Sequence, residues 1–324
     1  MPIHDVGYRP WSQAPTRTAS RWYVLAETGV RLAWKSQWLR RMLFVAWLPS
    51  LYLGTALFAY EQFTKDRGTQ AAALWLLHRL PESDYLLDPA VQSGDIPRRA
   101  VWALLLLTLF RYPQGVLMVM LVGFIAPPLI SQDLRSRAYL LYFSRPLGAA
   151  EYVLGKSLVV WFYLFMITAV PALGLYVLGV SLAPDLSVVR DTWDLPLRIL
   201  AASIWLIVPT TAMALCFSAL TVESRYASAA WFAVWTMGWL AYTCLVLLNQ
   251  ELQRDAGLPM PETRPVHTAW SLVSLYHCLG RIQVWVFGLE ADITTVASAI
   301  ALVTMLTLTC LVVLLRRVTT PLRS

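Results

Sequence analysis

Apolar residues fill this chain in six long blocks, and short polar segments separate them. A helix needs about 20 apolar residues to cross roughly 30 Å of hydrocarbon. The blocks at about 42–60, 111–131, 152–180, 196–221, 226–249 and 291–315 meet that length. They predict an all-α, polytopic membrane protein with six transmembrane helices. No Gly/Ser linker or internal repeat divides the chain, so 1–324 reads as a single membrane domain.

Three stretches depart from this simple alternation. Residues 101–110 are apolar and run into the second block, and 101–131 taken whole exceeds the membrane. Arg111-Tyr112-Pro113-Gln114 is therefore placed near the outer interface, with Arg111 snorkelling into the headgroups. The stretch before it either extends that helix outward or lies along the surface. Residues 269–288 resemble a seventh span, but His277, Arg281 and Gln283 would then lie mid-membrane, where an Arg costs several kcal/mol. They predict one or two interfacial or reentrant helices dipping in from the outer face before the last span. In 20–39, Glu27, Arg31 and Lys35 line one helix face while Trp22, Leu25, Ala26, Gly29, Leu32 and Ala33 line the other. That pattern predicts an amphipathic interfacial helix.

Composition agrees with lipid as the main solvent. The 324 residues are 58% hydrophobic and 14% charged, where a soluble domain carries about a quarter charged residues. The 15 Trp suit the headgroup level, and the net charge of +7 comes from basic residues crowding the ends of apolar blocks, which excludes nucleic acid as the partner they imply. Residues 1–41 hold seven Arg or Lys, and the 132–156 segment holds four. The positive-inside rule then puts both termini and the 131–156 segment in the cytoplasm. The 61–99 and 250–290 loops face outward, and the chain belongs to a cytoplasmic (inner) membrane. The N-terminus lacks the form of a signal peptide, so the first span is expected to be a retained anchor.

The residues that support other chemistries are missing. No Asp or Glu lies well inside a span, which argues against a proton- or ion-coupled carrier. No Gly-rich filter supports a channel, and no HExxH, GxSxG or Walker-type GxxxxGK[ST] motif supports an enzyme or an ATP site in this chain. Cys216, Cys244, Cys278 and Cys310 are scattered and read as small buried hydrophobes. The four His are dispersed, and His277-Cys278 alone does not make a metal site. Pro171, Pro209 and Pro127-Pro128 interrupt spans and allow kinks.

One polar island remains, from Ser131 to Lys156. Pro127-Pro128 is expected to bend or end the second span just before it. Ser131 and Asp133 then suit the start of a short helix, because a side-chain oxygen and a negative charge satisfy free N–H groups there. Arg135, Arg137, Tyr139 and Tyr142 follow, and Ser144-Arg145-Pro146 stops that helix. An ordinary positive-inside loop explains the Arg residues but not the order of the rest.

The order Leu129-Ile130-Ser131-Gln132-Asp133, then Tyr142-Phe143-Ser144-Arg145-Pro146, then Tyr152-Val153-Leu154-Gly155-Lys156 resembles the ABC-2 family of ATP-binding-cassette permease subunits. The six-span layout, interfacial helix and outer reentrant segment are similar to that family too, while the long 61–99 loop departs from its shortest members. The resemblance implies an exporter permease whose 132–150 loop holds a coupling helix seated in a separate ABC ATP-binding subunit. Asp133, Arg135, Arg137 and Arg145 would be its polar contacts, and Tyr139 and Tyr142 its packing contacts. The 20–39 helix would be the connecting helix. ATP and Mg would be bound by that partner, with no cofactor in this chain, and a second permease chain would complete a homodimer or heterodimer. Two alternatives stay open: a membrane anchor that transmits force or signal for an ABC ATPase without transport, or a secondary carrier.

Overall fold

A computed structural model describes residues 21–63, 80, 98–138, 147–183, 187–255, 269–290 and 293–319. All regular structure among them is helical, with no strand. The chain enters through α1 (Arg21–Trp34), α2 (Gln37–Val45) and α3 (Leu48–Phe63). Then come α4 (Arg98–Arg111), α5 (Pro113–Arg135), α6 (Ala149–Ile167), α7 (Ala169–Leu182) and the single-turn α8 (Ser187–Thr192). Two long helices follow, α9 (Leu195–Leu220) and α10 (Ser224–Asp255). A 3-10 turn (Ala269–Val273), α11 (Leu275–Phe287) and α12 (Ile293–Thr319) complete the order.

Among the described residues, six helical stretches are long and apolar enough to cross a membrane: Gln37–Gln62, Arg98–Arg135, Ala149–Leu182, Ser187–Leu220, Ser224–Gln253 and Val296–Thr319. This is a multi-pass membrane protein. Helix α9 forms the centre of the bundle, packing on α5, α6, α10, α11 and α12. Its small buried face (Ala202, Ser203, Thr210, Thr211, Ala212, Ala214, Ala219) lets those neighbours approach closely. The apolar surfaces of α10 and α12 stay largely exposed, including Met237, Leu240, Met305 and Leu308, as lipid-facing helices require.

The stretch 101–110 does not lie along the surface of the bundle; it is enclosed by it and runs on into the second block in one helical stretch, Arg98–Arg135. Every residue of α4 from Val101 to Arg111 is buried, against α3, α5, α7 and α11. A helix with apolar residues on all sides stabilises a bundle only when it is enclosed, and this one is. Arg111 accordingly does not snorkel. It is 4% exposed, its guanidinium lies over the Tyr276 ring at 5.4 Å, and its carbonyl accepts from Tyr276 Oη at 3.0 Å. Gly280 makes this possible, because a Cβ there would collide with the Arg111 guanidinium. Thirteen-residue α11 rises about 20 Å, too little to cross the bilayer. Its polar residues are buried in protein: Arg281 donates to Ser271 Oγ at 3.0 Å, and His277 stacks on Tyr242 with ring centroids 3.5 Å apart.

Helix α1 packs lengthwise on α6. Gly29 faces Val159, and Gly155 faces Leu25 and the Trp22 carbonyl, so two missing side chains bring the axes together. Tyr163 Oη donates to the Val30 carbonyl at 2.7 Å, and Glu27 pairs with Arg31 at 2.6 Å on the outward side. Of the apolar residues expected to share a face, Ala26 is buried while Leu32 is 70% exposed. Three cysteines are buried as expected, but Cys244 on α10 is exposed.

Gly155→Val tests this packing. The added carbons meet the Trp22 backbone, which cannot rotate away, so α1 is expected to detach. The predicted loss is about 1–3 kcal/mol, the usual cost of overpacking. Thermal unfolding in detergent, with protease cleavage between α1 and α2 as a second readout, measures it.

Candidate functional site

The polar island and the helices flanking it form the site, and its first residues are not where the sequence placed them. Helix α5 does not end at Pro127-Pro128 but continues through them to Arg135. Ser131 and Asp133 are thus in the last turns of a span rather than the first turn of a short helix. The reason lies in how the two prolines are accommodated. Pro127 has no N–H to give the Gly123 carbonyl, and Ser228 Oγ on α10 donates to that carbonyl instead at 3.0 Å. The Pro127 carbonyl accepts from two hydroxyls, Ser131 Oγ at 2.7 Å and Ser218 Oγ at 2.5 Å. Ser218 Oγ also accepts the N–H groups of Ile130 and Ser131, each at 3.1 Å. One hydroxyl has one proton and two lone pairs, and all three are used. The helix survives because its neighbours complete it.

Asp133 now carries a negative charge near a helix C-terminus, the unfavourable end for an anion. Helix α6 compensates. Lys156 Nζ lies 2.7 Å from Asp133 Oδ2, and Tyr152 Oη donates to the same oxygen at 2.6 Å. Both side chains of the ion pair are largely buried, at 14% and 11% exposure. Tyr152 and Lys156 are one turn apart, so they reach the same point from one face of α6, and the ammonium also sits 5.6 Å from the Tyr152 ring centroid. Gly148 starts α6 with an extended backbone, and its N–H donates to Glu151 Oε2 at 3.0 Å. The spacing Tyr-x-x-Gly-Lys thereby gains a physical meaning: Tyr and Lys grip Asp133, and Gly admits α1.

The six residues assigned to partner contact therefore divide. Asp133 faces inward and is held within the chain. Arg135 and Arg137 are exposed; Arg135 makes a 3.4 Å contact with Glu223 that is itself solvent-exposed and therefore weak. Arg137 leaves α5 with φ 55, a left-handed conformation that Gly or Asn usually occupies. Tyr139, Tyr142 and Arg145 lie outside the described residues. Sequence reasoning missed Lys156, Tyr152 and Ser218 as site residues. The first two stood within the quoted motif, and the presence of a Lys exactly one turn after a Tyr, facing a lone Asp, was the available signal. Ser218 was legible only as one of several Ser and Thr residues inside the spans able to bond a backbone carbonyl, which it does.

A second polar layer closes the opposite end of the bundle. Asp194 binds Arg99 in a two-pronged contact (3.3 and 2.6 Å) and Arg198 at 2.6 Å, and Arg198 Nη1 donates to the Val286 carbonyl. Beside it, buried Glu61 at the end of α3 accepts from Trp102 Nε1 at 3.2 Å and pairs with Arg98 at 3.3 Å. Among the described residues no group of three His, Cys, Asp or Glu is placed to hold a metal. No protein-family model matches the chain, and no curated protein sequence does.

Two substitutions separate these contacts. Asp133→Asn removes the negative charge 2.7 Å from the buried Lys156 ammonium, an expected loss of about 3–5 kcal/mol. Adding Lys156→Met is expected to restore part of it, as a double-mutant cycle in denaturant measures directly. Ser218→Ala removes the acceptor shared by the Ile130 and Ser131 N–H groups and one of the two hydroxyl donors to the Pro127 carbonyl. It is expected to cost about 1–3 kcal/mol, more than Ser228→Ala, which strands a single carbonyl.

Proposed function

We propose that this chain is the transmembrane permease subunit of an ATP-driven exporter of the ABC-2 type. A separate ABC ATP-binding subunit binds ATP and Mg, and a second permease chain, identical or related, completes the pathway. The observation that carries the reading is the join between Asp133, Tyr152 and Lys156. It ties the two spans on either side of the polar island, so a force applied to that island moves α5 and α6 as a pair. Exposed Arg135 and Arg137 stand at the start of the island, and Tyr139, Tyr142 and Arg145 supply its later contacts. That an Arg occupies a left-handed position, where Gly costs less, fits a side chain kept for its charge.

In this reading both termini are cytoplasmic and the membrane is the inner one. Helix α1 is the connecting helix at the interface, packed on α6 through Gly29 and Gly155. Nucleotide-driven closure of the ATPase subunits draws the two islands together and rocks the spans through α5 and α6. Buried α4 and short α11, joined at Arg111 and Tyr276, are the reentrant outer gate. The empty ion-carrying chemistry of the spans favours an amphipathic or lipid-linked cargo over a small ion. The anchor alternative uses the same docking surface and differs only in whether a solute stimulates ATP hydrolysis.

The test is co-purification from intact membranes. A subunit with a Walker motif and ABC signature is expected to accompany the chain, and charge reversal at Arg135 and Arg145 together is expected to release it. ATPase binding that survives replacement of the whole 133–146 segment contradicts the proposal.

A further inference from the structure

A groove of about 780 Å³ runs between α1, α6 and α9. Its deep wall is apolar, formed by Phe162 and Phe165 of α6 and Ile204 and Val208 of α9. Its rim on α1 is charged, formed by Glu27 and Arg31, which pair at 2.6 Å. The volume is within the range of small-molecule sites. Several lining side chains are large, apolar and exposed, with Ile204 at 60% and Phe162 at 40%. The wall belongs to spanning stretches Ala149–Leu182 and Ser187–Leu220, so hydrocarbon surrounds it. The charged rim cannot lie at the same depth without a cost of several kcal/mol, which makes the rim the headgroup end.

We propose that this groove binds one phospholipid whose head carries both an anionic phosphate and a cationic amine. The acyl chain lies along Phe165 and Ile204. At the rim the phosphate meets Arg31, which is 77% exposed, and the amine meets Glu27. Paired opposite charges complement a head with both signs better than a purely anionic one, whose phosphate gains Arg31 but faces Glu27 unpaired. The site depends on the six spanning stretches and not on the exporter reading, so each can fail without the other.

The test uses the full chain in nanodiscs of equal phosphatidylethanolamine and phosphatidylglycerol, with native mass spectrometry of what remains bound after transfer to detergent. One phosphatidylethanolamine is expected to stay with the protein. Ile204→Trp fills the groove from an exposed position and is expected to lower retention by about tenfold. Phe44→Trp, at a 72%-exposed apolar position outside the groove, is expected to change nothing. Glu27→Gln is expected to keep a lipid but to shift preference toward phosphatidylglycerol. Retention unchanged by Ile204→Trp, or lowered equally by Phe44→Trp, overturns the site. Head preference unchanged by Glu27→Gln overturns the headgroup assignment. A photoreactive group at position 204 that captures residues 1–20 or a second copy in place of lipid also overturns the proposal.

Discussion

The structure turns on a carboxylate at the wrong end of a helix. Asp133 sits near the C-terminus of α5, where the helix dipole repels it, and in a largely buried position. Left alone it would weaken the span. Lys156 and Tyr152, both converging on one oxygen, convert that liability into the link between the two helices that border the polar island. Such a pair contributes less to net stability than to geometry, because desolvation of both ions offsets their attraction. What it fixes is the relative placement of α5 and α6 on either side of the polar island.

The same logic governs the two prolines a few residues earlier. Two prolines in a row would break an isolated helix. Here Ser228 closes the gap at Gly123, and Ser131 and Ser218 donate to the Pro127 carbonyl beside it. The two-proline segment is therefore braced by three helices, α5, α9 and α10. Trp231 adds a fourth contact of this kind, donating to the Val119 carbonyl at 2.8 Å. Among the described residues, many hydroxyls inside the spans donate to helix carbonyls, as Ser203, Thr210 and Thr307 do.

The spans were readable because hydrocarbon thickness sets a length that composition must meet, and all six stretches fall where the apolar blocks lie. Their ends were less readable. Asp133 looked like a helix start because its nearest signal, Pro127-Pro128, is a local breaker, whereas the groups that repair the break are about ninety residues or more away. Arg111 looked interfacial for the same reason: the space that lets it be buried comes from Gly280, on a helix far along the chain. Local propensity sees neither partner. The island itself was legible as a motif, but its meaning was mixed, since Asp133, Tyr152 and Lys156 hold the chain to itself while Arg135 and Arg137 remain open.

The central claim is that the open part of the island is where a motor subunit sits. A photoreactive group in place of the Arg137 side chain, activated in intact membranes and followed by mass spectrometry of the adduct, tests it most directly. The account predicts a covalent adduct with a subunit that carries a Walker motif, in a yield that changes when ATP is depleted. An Arg137 adduct confined to lipid, or to proteins with no nucleotide site, contradicts it.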